Sequence, residues 1–256
     1  MFLTAIAIGL AVTLVMLGAW GFQAWCKNAG WVDVFWTFST GLICALAALT
    51  AGPVPWRRAL VAALLLLWSV RLGSHIFHRV MTGAEDARYA RMRKDMGPKF
   101  QRNLLGILLP QGPFSLVLGT AVLYAARQPD PAFRIWDALG IALALGCIAG
   151  EALSDRQMRQ FRADPANKGK ICETGLWHYS RHPNYLFEFL SWCAYPLLGL
   201  TAHNPWSLLS LLAPALMYLT LRYASGVPPL EAAMLESRGD AYREYQSRTG
   251  AILPRF

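Results

Sequence analysis

The sequence predicts an all-α, polytopic membrane protein of about seven transmembrane helices, with the amino terminus outside and the carboxyl terminus in the cytoplasm. Three observations carry this expectation. Of 256 residues, 55% are hydrophobic and only 15% are charged, well short of the about 25% charge of a soluble domain, and the mean hydropathy is +0.33. Seven apolar runs have the length of a bilayer crossing, for which about 20 helical residues at about 1.5 Å rise suffice. The basic residues fall on one side once these runs are threaded through a membrane. Disorder, a disulfide scaffold and an ordinary soluble enzyme are poor readings of such a composition.

The runs are Phe2 to Trp25, Trp31 to Thr50, Ala59 to Phe77, Leu104 to Ala126, Ile135 to Leu153, Tyr185 to Ala202 and Trp206 to Tyr223. The first opens Met1-Phe2-Leu3, with no basic segment before it and no small-residue cleavage site after it, so it reads as a retained helix and not a signal peptide. Pro110, Gly112 and Pro113 interrupt the fourth, which predicts a kinked span or a re-entrant segment. The remaining runs are continuous, and the whole chain reads as a single integral-membrane domain.

The formal net charge is +9. With seven spans, one side holds Lys27, the loop from His78 to Asn103, the loop from Ser154 to Asn184 and the tail counted from Arg222, with 19 Lys and Arg among them. The other side holds 4: Arg57, Arg58, Arg127 and Arg134, while Arg71 lies inside the third span. The positive-inside rule then sets the orientation, in a cytoplasmic (inner) membrane. The basic excess is topological and needs no nucleic-acid partner. The five cysteines lack CxxC pairing and the five histidines lack HExxH spacing, so no metal site is expected. Dinucleotide GxGxxG and Walker patterns are missing as well.

The residues that bear chemistry concentrate after Glu151. Asp155, Arg159 and Arg162 stand at i, i+4 and i+7, which puts one carboxylate and two guanidiniums on a single helical face. A juxtamembrane basic helix meeting anionic headgroups has the same pattern. A polar turn containing Lys168 follows, then Thr174-Gly-Leu-Trp-His-Tyr179-Ser-Arg181-His182-Pro183-Asn184-Tyr185-Leu-Phe-Glu188. Pro183 suits the first position of a helix, so Arg181 and His182 sit near the positive end of the helix dipole, a good place for phosphate. Glu188 lies one turn into an apolar span, where an acid is costly unless it faces protein or a polar ligand. The alternative is structural: an interhelical bond from Glu188, with Arg181 and His182 solvated.

The string Gly-Leu-Trp-x-Tyr-Ser-Arg-His-Pro-Asn-Tyr-x-x-Glu resembles the signature of the steroid 5-alpha-reductase-like superfamily, in particular a bacterial branch of domain-of-unknown-function members. Asp155, Arg159 and Arg162 match that group, as does the tail Pro229-Leu-Glu231 … Arg238-Gly-Asp240-Ala-Tyr242-Arg243-Glu-Tyr245 … Pro254. So do Trp31-x-Asp33-x-Phe35-Trp36 and the Arg88-Tyr89 region, and the resemblance covers nearly the whole chain. The Arg-His-Pro-x-Tyr element is shared with isoprenylcysteine and phospholipid methyltransferases, which bind S-adenosylmethionine.

The resemblance implies a seven-helix reductase that takes NADPH from the cytoplasm and reduces a carbon-carbon double bond conjugated to a carbonyl in a steroid-like or other lipidic substrate. It implies that residues 1–130 form the substrate cavity and residues 135–256 the cofactor half. The cofactor set is then Asp155, Arg159, Arg162, Lys168, Tyr179, Arg181, His182, Asn184, Tyr185, Glu188, Arg222, Glu231, Tyr242 and Tyr245. Asp33 aligns with the glutamate of the steroid reductases' Gln-Glu pair, with Val32 in place of the glutamine. Trp68 stands where those enzymes place a tyrosine. Arg71 and His75, at i and i+4 of the third span, are the substitute polar groups beside Asp33. Phe187 replaces a common glycine and is expected to narrow the cofactor space. Two other readings stay open: an S-adenosylmethionine-dependent methyltransferase of a lipid or thiol acceptor, and a non-catalytic lipid-binding protein. Lipidic substrate and membrane lipids are the expected partners, and a monomer is compatible with the sequence.

Overall fold

A computed structural model describes residues 1–83 and 85–255. Among these residues no strand forms, and the sole bridge of β type joins Ser180 and Gly250 in parallel. Six helical stretches are long and apolar enough to cross a membrane. A seventh predicted span falls on Pro183–Gly199, whose 17 residues lie at the short end of bilayer-crossing length. The chain therefore has the composition and geometry of a multi-pass membrane protein.

Two compact units are present. The first comprises Met1–Ile141 and Ala194–Ala213, the second Ala142–Cys193 and Pro214–Phe256. In the first, α1 (Phe2–Cys26) buries Ala5, Ile8, Val12, Met16, Ala19 and Gln23 at spacings of three and four, while Leu3, Leu10 and Leu14 on the opposite face stay exposed. A helix apolar all round is what a lipid-facing span requires. Lys27 ends it in the left-handed conformation (φ 55°). Helices α2 (Trp31–Leu49) and α3 (Pro55–Thr82) approach closely at Gly41, where an added Cβ would stand 2.2 Å from the Ser69 side chain. Ser69 Oγ donates to the Thr37 carbonyl there at 3.0 Å.

After α3 come two short helices, α4 (Ala87–Met96) and α5 (Phe100–Leu108). Asp86 caps α4 by accepting from the Arg88 amide, the ordinary remedy for unpaired amides at a helix start. Phe100, Leu104 and Leu108 of α5 are buried with Val12, Met16, Ala19, Val32 and Tyr89. Trp20 Nε1 donates to the Gln101 carbonyl at 3.0 Å, and Gln23 Nε2 to Gln101 Oε1 at 2.7 Å, which pins α5 beside the end of α1. The interrupted fourth run is thus two helices: α5 stops at Leu108, and α6 (Gln111–Arg127) starts after Pro110.

Arg57, Arg134 and Asp137 tie together the other end of this unit. Arg57 donates from Nη1 and Nη2 to the two Asp137 oxygens at 2.6 and 2.8 Å, and also to the carbonyls of Asp130 and Ala132. Arg134 adds a 2.8 Å bond to Asp137 and two to the carbonyls of Leu198 and Leu200. Arg57 is 2% exposed and Asp137 0%. Phe133, Trp136 and Trp206 stand exposed around this end, as aromatic residues do at a bilayer interface.

The long helix α7 (Ile135–Ala163), whose residues from Ala142 on belong to the second unit, runs ten residues beyond the apolar run. The one-turn helix α8 (Leu176–Tyr179) precedes α9 (Pro183–Gly199). A 3-10 turn over Pro205–Leu211 leads into α10 (Leu212–Tyr223), and the tail folds as α11 (Val227–Arg238) and α12 (Asp240–Arg248). Phe187 of α9 packs its ring on Gly150 of α7, whose missing side chain makes the room.

Candidate functional site

Sequence candidates gather in two clusters, one in each unit. In the second unit the centre is the turn Ser180–Pro183. Arg181 Nε donates to Glu231 Oε1 at 2.7 Å, and its Nη1 donates to the carbonyls of Gln246 (3.2 Å) and Thr249. His182 Nε2 lies 3.2 Å from the same Glu231 oxygen, and Gln246 Nε2 donates to Glu231 Oε2 at 2.7 Å. Arg181 and His182 are both buried. Burial and the neighbouring cations Arg181 and Arg222 pull the His182 imidazole below its ordinary value, against the pull of Glu231. A neutral ring facing a carboxylate has one useful tautomer, so Nε2–H is the donor.

The tail closes over this turn. Tyr245 donates its hydroxyl to the Trp177 carbonyl, Ser180 Oγ donates to the Ile252 carbonyl at 2.7 Å, and the Arg181 amide donates to the Gly250 carbonyl at 2.9 Å. Tyr242 and Tyr245 are buried, and burial pushes both phenols above the ordinary tyrosine value. Arg181, His182, Glu231, Tyr242 and Tyr245 are therefore brought together as predicted, yet much of their bonding capacity goes to each other and to the tail backbone.

The other candidates divide by exposure. Arg159, Arg162, Lys168 and Tyr179 are exposed to solvent, as are Arg156 and Lys170, while Asp155 is 7% exposed on the same helix. Tyr185 stacks on His182, with ring centroids 5.4 Å apart. Glu188 is buried and accepts from Trp192 Nε1 at 3.0 Å, one helical turn away. Arg222 lies over the ring of Tyr223 at 5.0 Å. Asn184 Oδ1 is buried with no hydrogen-bond partner, which fits a ligand amide donor. Between α7 and α8 a groove of about 510 Å³ is lined by Leu153, Gln157, Thr174, Gly175, His178 and Tyr179. Gly175 has φ +61°, and an added Cβ would stand 2.5 Å from the Gln157 amide, which itself accepts from the Leu176 amide.

In the first unit Asp33 begins α2 and accepts from two side chains. Tyr89 donates its hydroxyl to Oδ1 at 2.7 Å and Arg88 donates from Nη2 to Oδ2 at 2.9 Å. Arg88 is held in turn by Asp86, at 3.0 Å from Nε and 3.1 Å from Nη2. Hydrogen bonds and charge from Arg88, with Arg79 nearby, keep the Asp86 carboxyl below its usual range although burial opposes this. The pairing of Asp33 is thus with Arg88 and Tyr89. Arg71 and His75 lie one turn apart on α3, both half-buried. Trp68 is 2% exposed and meets Trp36 edge-on at 6.3 Å, so the position that holds a tyrosine in steroid reductases is part of an aromatic core.

Sequence reasoning placed Arg88-Tyr89 only in a matching region and gave neither a role. The signal was present in the acid-acid-x-Arg-Tyr order of Glu85 to Tyr89, but nothing local says that it folds back on residue 33, 56 positions earlier. Comparison with known proteins adds the following. A family described as "Protein of unknown function (DUF1295)" matches residues 19–249. A Schizosaccharomyces pombe protein named "Uncharacterized protein C594.04c" is 27% identical over 277 residues, covering 97% of this chain and 79% of its own length. No solved structure matches. Since the family match takes in both clusters and nearly all the spans, the chain belongs to the DUF1295 family.

Proposed function

We propose that this protein is a membrane-embedded, NADPH-dependent reductase of a carbon-carbon double bond conjugated to a carbonyl in a lipidic substrate. The observation that carries the reading is the Asp33–Tyr89–Arg88 cluster. A phenol held by a carboxylate, beside a guanidinium, is a hydrogen-bond donor that a substrate oxygen can take over from the carboxylate. Enone reduction needs such a group and methyl transfer does not. The resemblance of the Arg-His-Pro-Asn-Tyr element and its following glutamate to the steroid 5-alpha-reductase-like signature supports the same reading.

Arg156, Arg162, Lys168 and Lys170 would hold the phosphates of the dinucleotide, being exposed cations on α7 and the turn after it. Asn184 Oδ1, buried and without a donor, suits a carboxamide N–H. When bound, the reduced nicotinamide supplies hydride to the β-carbon of the enone. Tyr89 would polarise the substrate carbonyl by turning its hydroxyl from Asp33 Oδ1 to that oxygen, so negative charge growing there is met where it forms. Asp33 holds the phenol in place before substrate arrives, and Arg88 remains on the carboxylate after the hydroxyl turns away. A proton from solvent then completes the α-carbon. The lipid-exposed surface of the spans admits a substrate from the bilayer of the cytoplasmic membrane.

The test begins with the protein purified in detergent and its thermal stability followed with NADPH, NADH and S-adenosylmethionine. Stabilisation by NADPH is expected, and stabilisation by S-adenosylmethionine alone would overturn the proposal. Asp33→Asn and Tyr89→Phe are expected to abolish enone turnover while keeping the NADPH-induced shift. Unchanged turnover in either variant removes that residue from the mechanism.

A further inference from the structure

The loop from His78 to Asn103 carries seven Lys and Arg, and the structure sorts them into two groups. Arg79 meets Asp86 at 3.0 Å, Arg88 meets Asp33 and Asp86, Arg93 meets Glu85 at 2.8 Å and Arg91 reaches Asp95 at 3.7 Å. Lys94, Lys99 and Arg102 are exposed, and no acid among the described residues pairs with them. These three stand within nine residues at the junction of α4 and α5. The depth of that junction is set by Gln101, which is bonded to Trp20 and Gln23 in the last two turns of α1. Trp25, in the same last turn, is 79% exposed, as suits a residue at the headgroup level. Along α5, Phe100, Leu104 and Leu108 face protein, while Arg102 points to solvent and Ile107 and Leu109 are exposed apolar groups.

We infer that the α4–α5 hairpin is a docking surface for anionic phospholipid headgroups, with Lys94, Lys99 and Arg102 contacting the lipid phosphates and the exposed Ile107 and Leu109 meeting the upper acyl chains. An interfacial helix pair with cations on one edge and apolar side chains below matches a charged leaflet in both sign and depth. Four of the loop's seven cations are neutralised by protein acids, so the attraction is confined to these three. The surface has a consequence for the site beside it. Arg88 and Tyr89 sit on the first turn of α4, six and five residues before Lys94, and α4 has few buried residues of its own to hold it. Anionic lipid bound at Lys94 and Lys99 steadies the helix that presents Tyr89 to Asp33.

Amide hydrogen exchange of the full chain in lipid nanodiscs tests this without any activity measurement, so its outcome is independent of the reductase reading. Wild type and a triple variant, Lys94→Gln with Lys99→Gln and Arg102→Gln, are compared in phosphatidylcholine alone and in phosphatidylcholine with phosphatidylglycerol. All three side chains are exposed, so the variant is expected to fold, which equal melting temperatures in phosphatidylcholine will show. Phosphatidylglycerol is expected to slow exchange in residues 88–96 of the wild type by about tenfold, a scale typical of local opening, and to leave the variant unchanged. Equal slowing in both proteins, or none in the wild type, overturns the inference. Inorganic phosphate added to phosphatidylcholine discs is expected to have no effect; if it reproduces the slowing, the surface binds a free anion and the lipid assignment fails.

Discussion

Removal of the Arg181 side chain tests the arrangement of the second unit most directly. From the sequence, Arg181→Ala is expected to weaken cofactor binding and to leave the fold intact, and the geometry changes the second half of that expectation. Arg181 is 9% exposed and Glu231 12%, so the pair is largely withdrawn from water. Truncation to alanine strands a carboxylate and leaves the carbonyls of Gln246 and Thr249 without this donor. Breaking one partner of a buried pair costs about 3–5 kcal/mol. Glu231 keeps His182 and Gln246 as donors, which argues for the lower end, about 3 kcal/mol. With about 2–4 °C per kcal/mol for a chain of this size, the melting temperature should fall by about 6–12 °C. The tail after Arg248 should become sensitive to protease before the rest of the chain unfolds, since Arg181 holds it through both side chain and amide. Arg181→Lys should fall between, because one ammonium cannot span Glu231 and two carbonyls at once. A variant melting within 2 °C of wild type, by the same about 2–4 °C scale, and keeping a protease-resistant tail would refute the reasoning.

Three further outcomes are expected. Asp137→Asn leaves buried Arg57 without its counter-charge, with one amide oxygen and two backbone carbonyls as acceptors, and should cost about 3–5 kcal/mol, read as a lowered unfolding midpoint in denaturant; a change no larger than a surface substitution would show that Arg57 and Arg134 are served by other groups. Lowering the pH below about 6.5 should destabilise the second unit: the His182 pKa is depressed in the folded state, so the unfolded chain takes the proton first and stability falls as pH drops through that window. Thermal melts from neutral to acid pH should show the decline in wild type and a shallower one in His182→Gln. Gly175→Ala combines a positive φ with a Cβ 2.5 Å from the Gln157 amide and should cost about 1–3 kcal/mol, with trypsin cleavage at Lys168 or Lys170 as a local reporter.

Apolar length and charge asymmetry are integrated over many residues, which is why the spans were legible. The six long helices and the short Pro183–Gly199 all fall where hydropathy puts them, and the break at Pro110 was announced by the proline itself. The polar caps were not legible. Arg57, Arg134 and Asp137 look like ordinary loop charges until the fold places both arginines within 2.8 Å of Asp137. Asp33 shows the same limit: an acid at a helix start calls for a partner, Arg71 and His75 are reasonable by sequence, and Arg88 and Tyr89 reach it only through the return of α4. Boundaries failed where polarity and helix propensity diverge, as in α7, which continues through Ser154–Ala163 because its arginines, glutamines and methionine are good helix formers outside the membrane.

The decisive distinction in the second unit is between cations already engaged and cations still open, and residue type cannot make it. Arg181 and Arg162 are equally plausible phosphate ligands in the sequence. Arg181 is buried against a carboxylate and two carbonyls, so an incoming phosphate would have to displace those acceptors. Arg162 stands in solvent and would exchange water for phosphate at far smaller cost. A dinucleotide should therefore draw its anion affinity from α7 and the turn carrying Lys168, while the Arg-His-Pro turn supplies shape: it anchors the tail, fixes the start of α9 and holds Asn184 in position. Under this division a charge reversal at Arg162 or Lys168 weakens binding and steepens with falling salt, whereas a lesion at Arg181 acts through the fold and shows no such salt dependence.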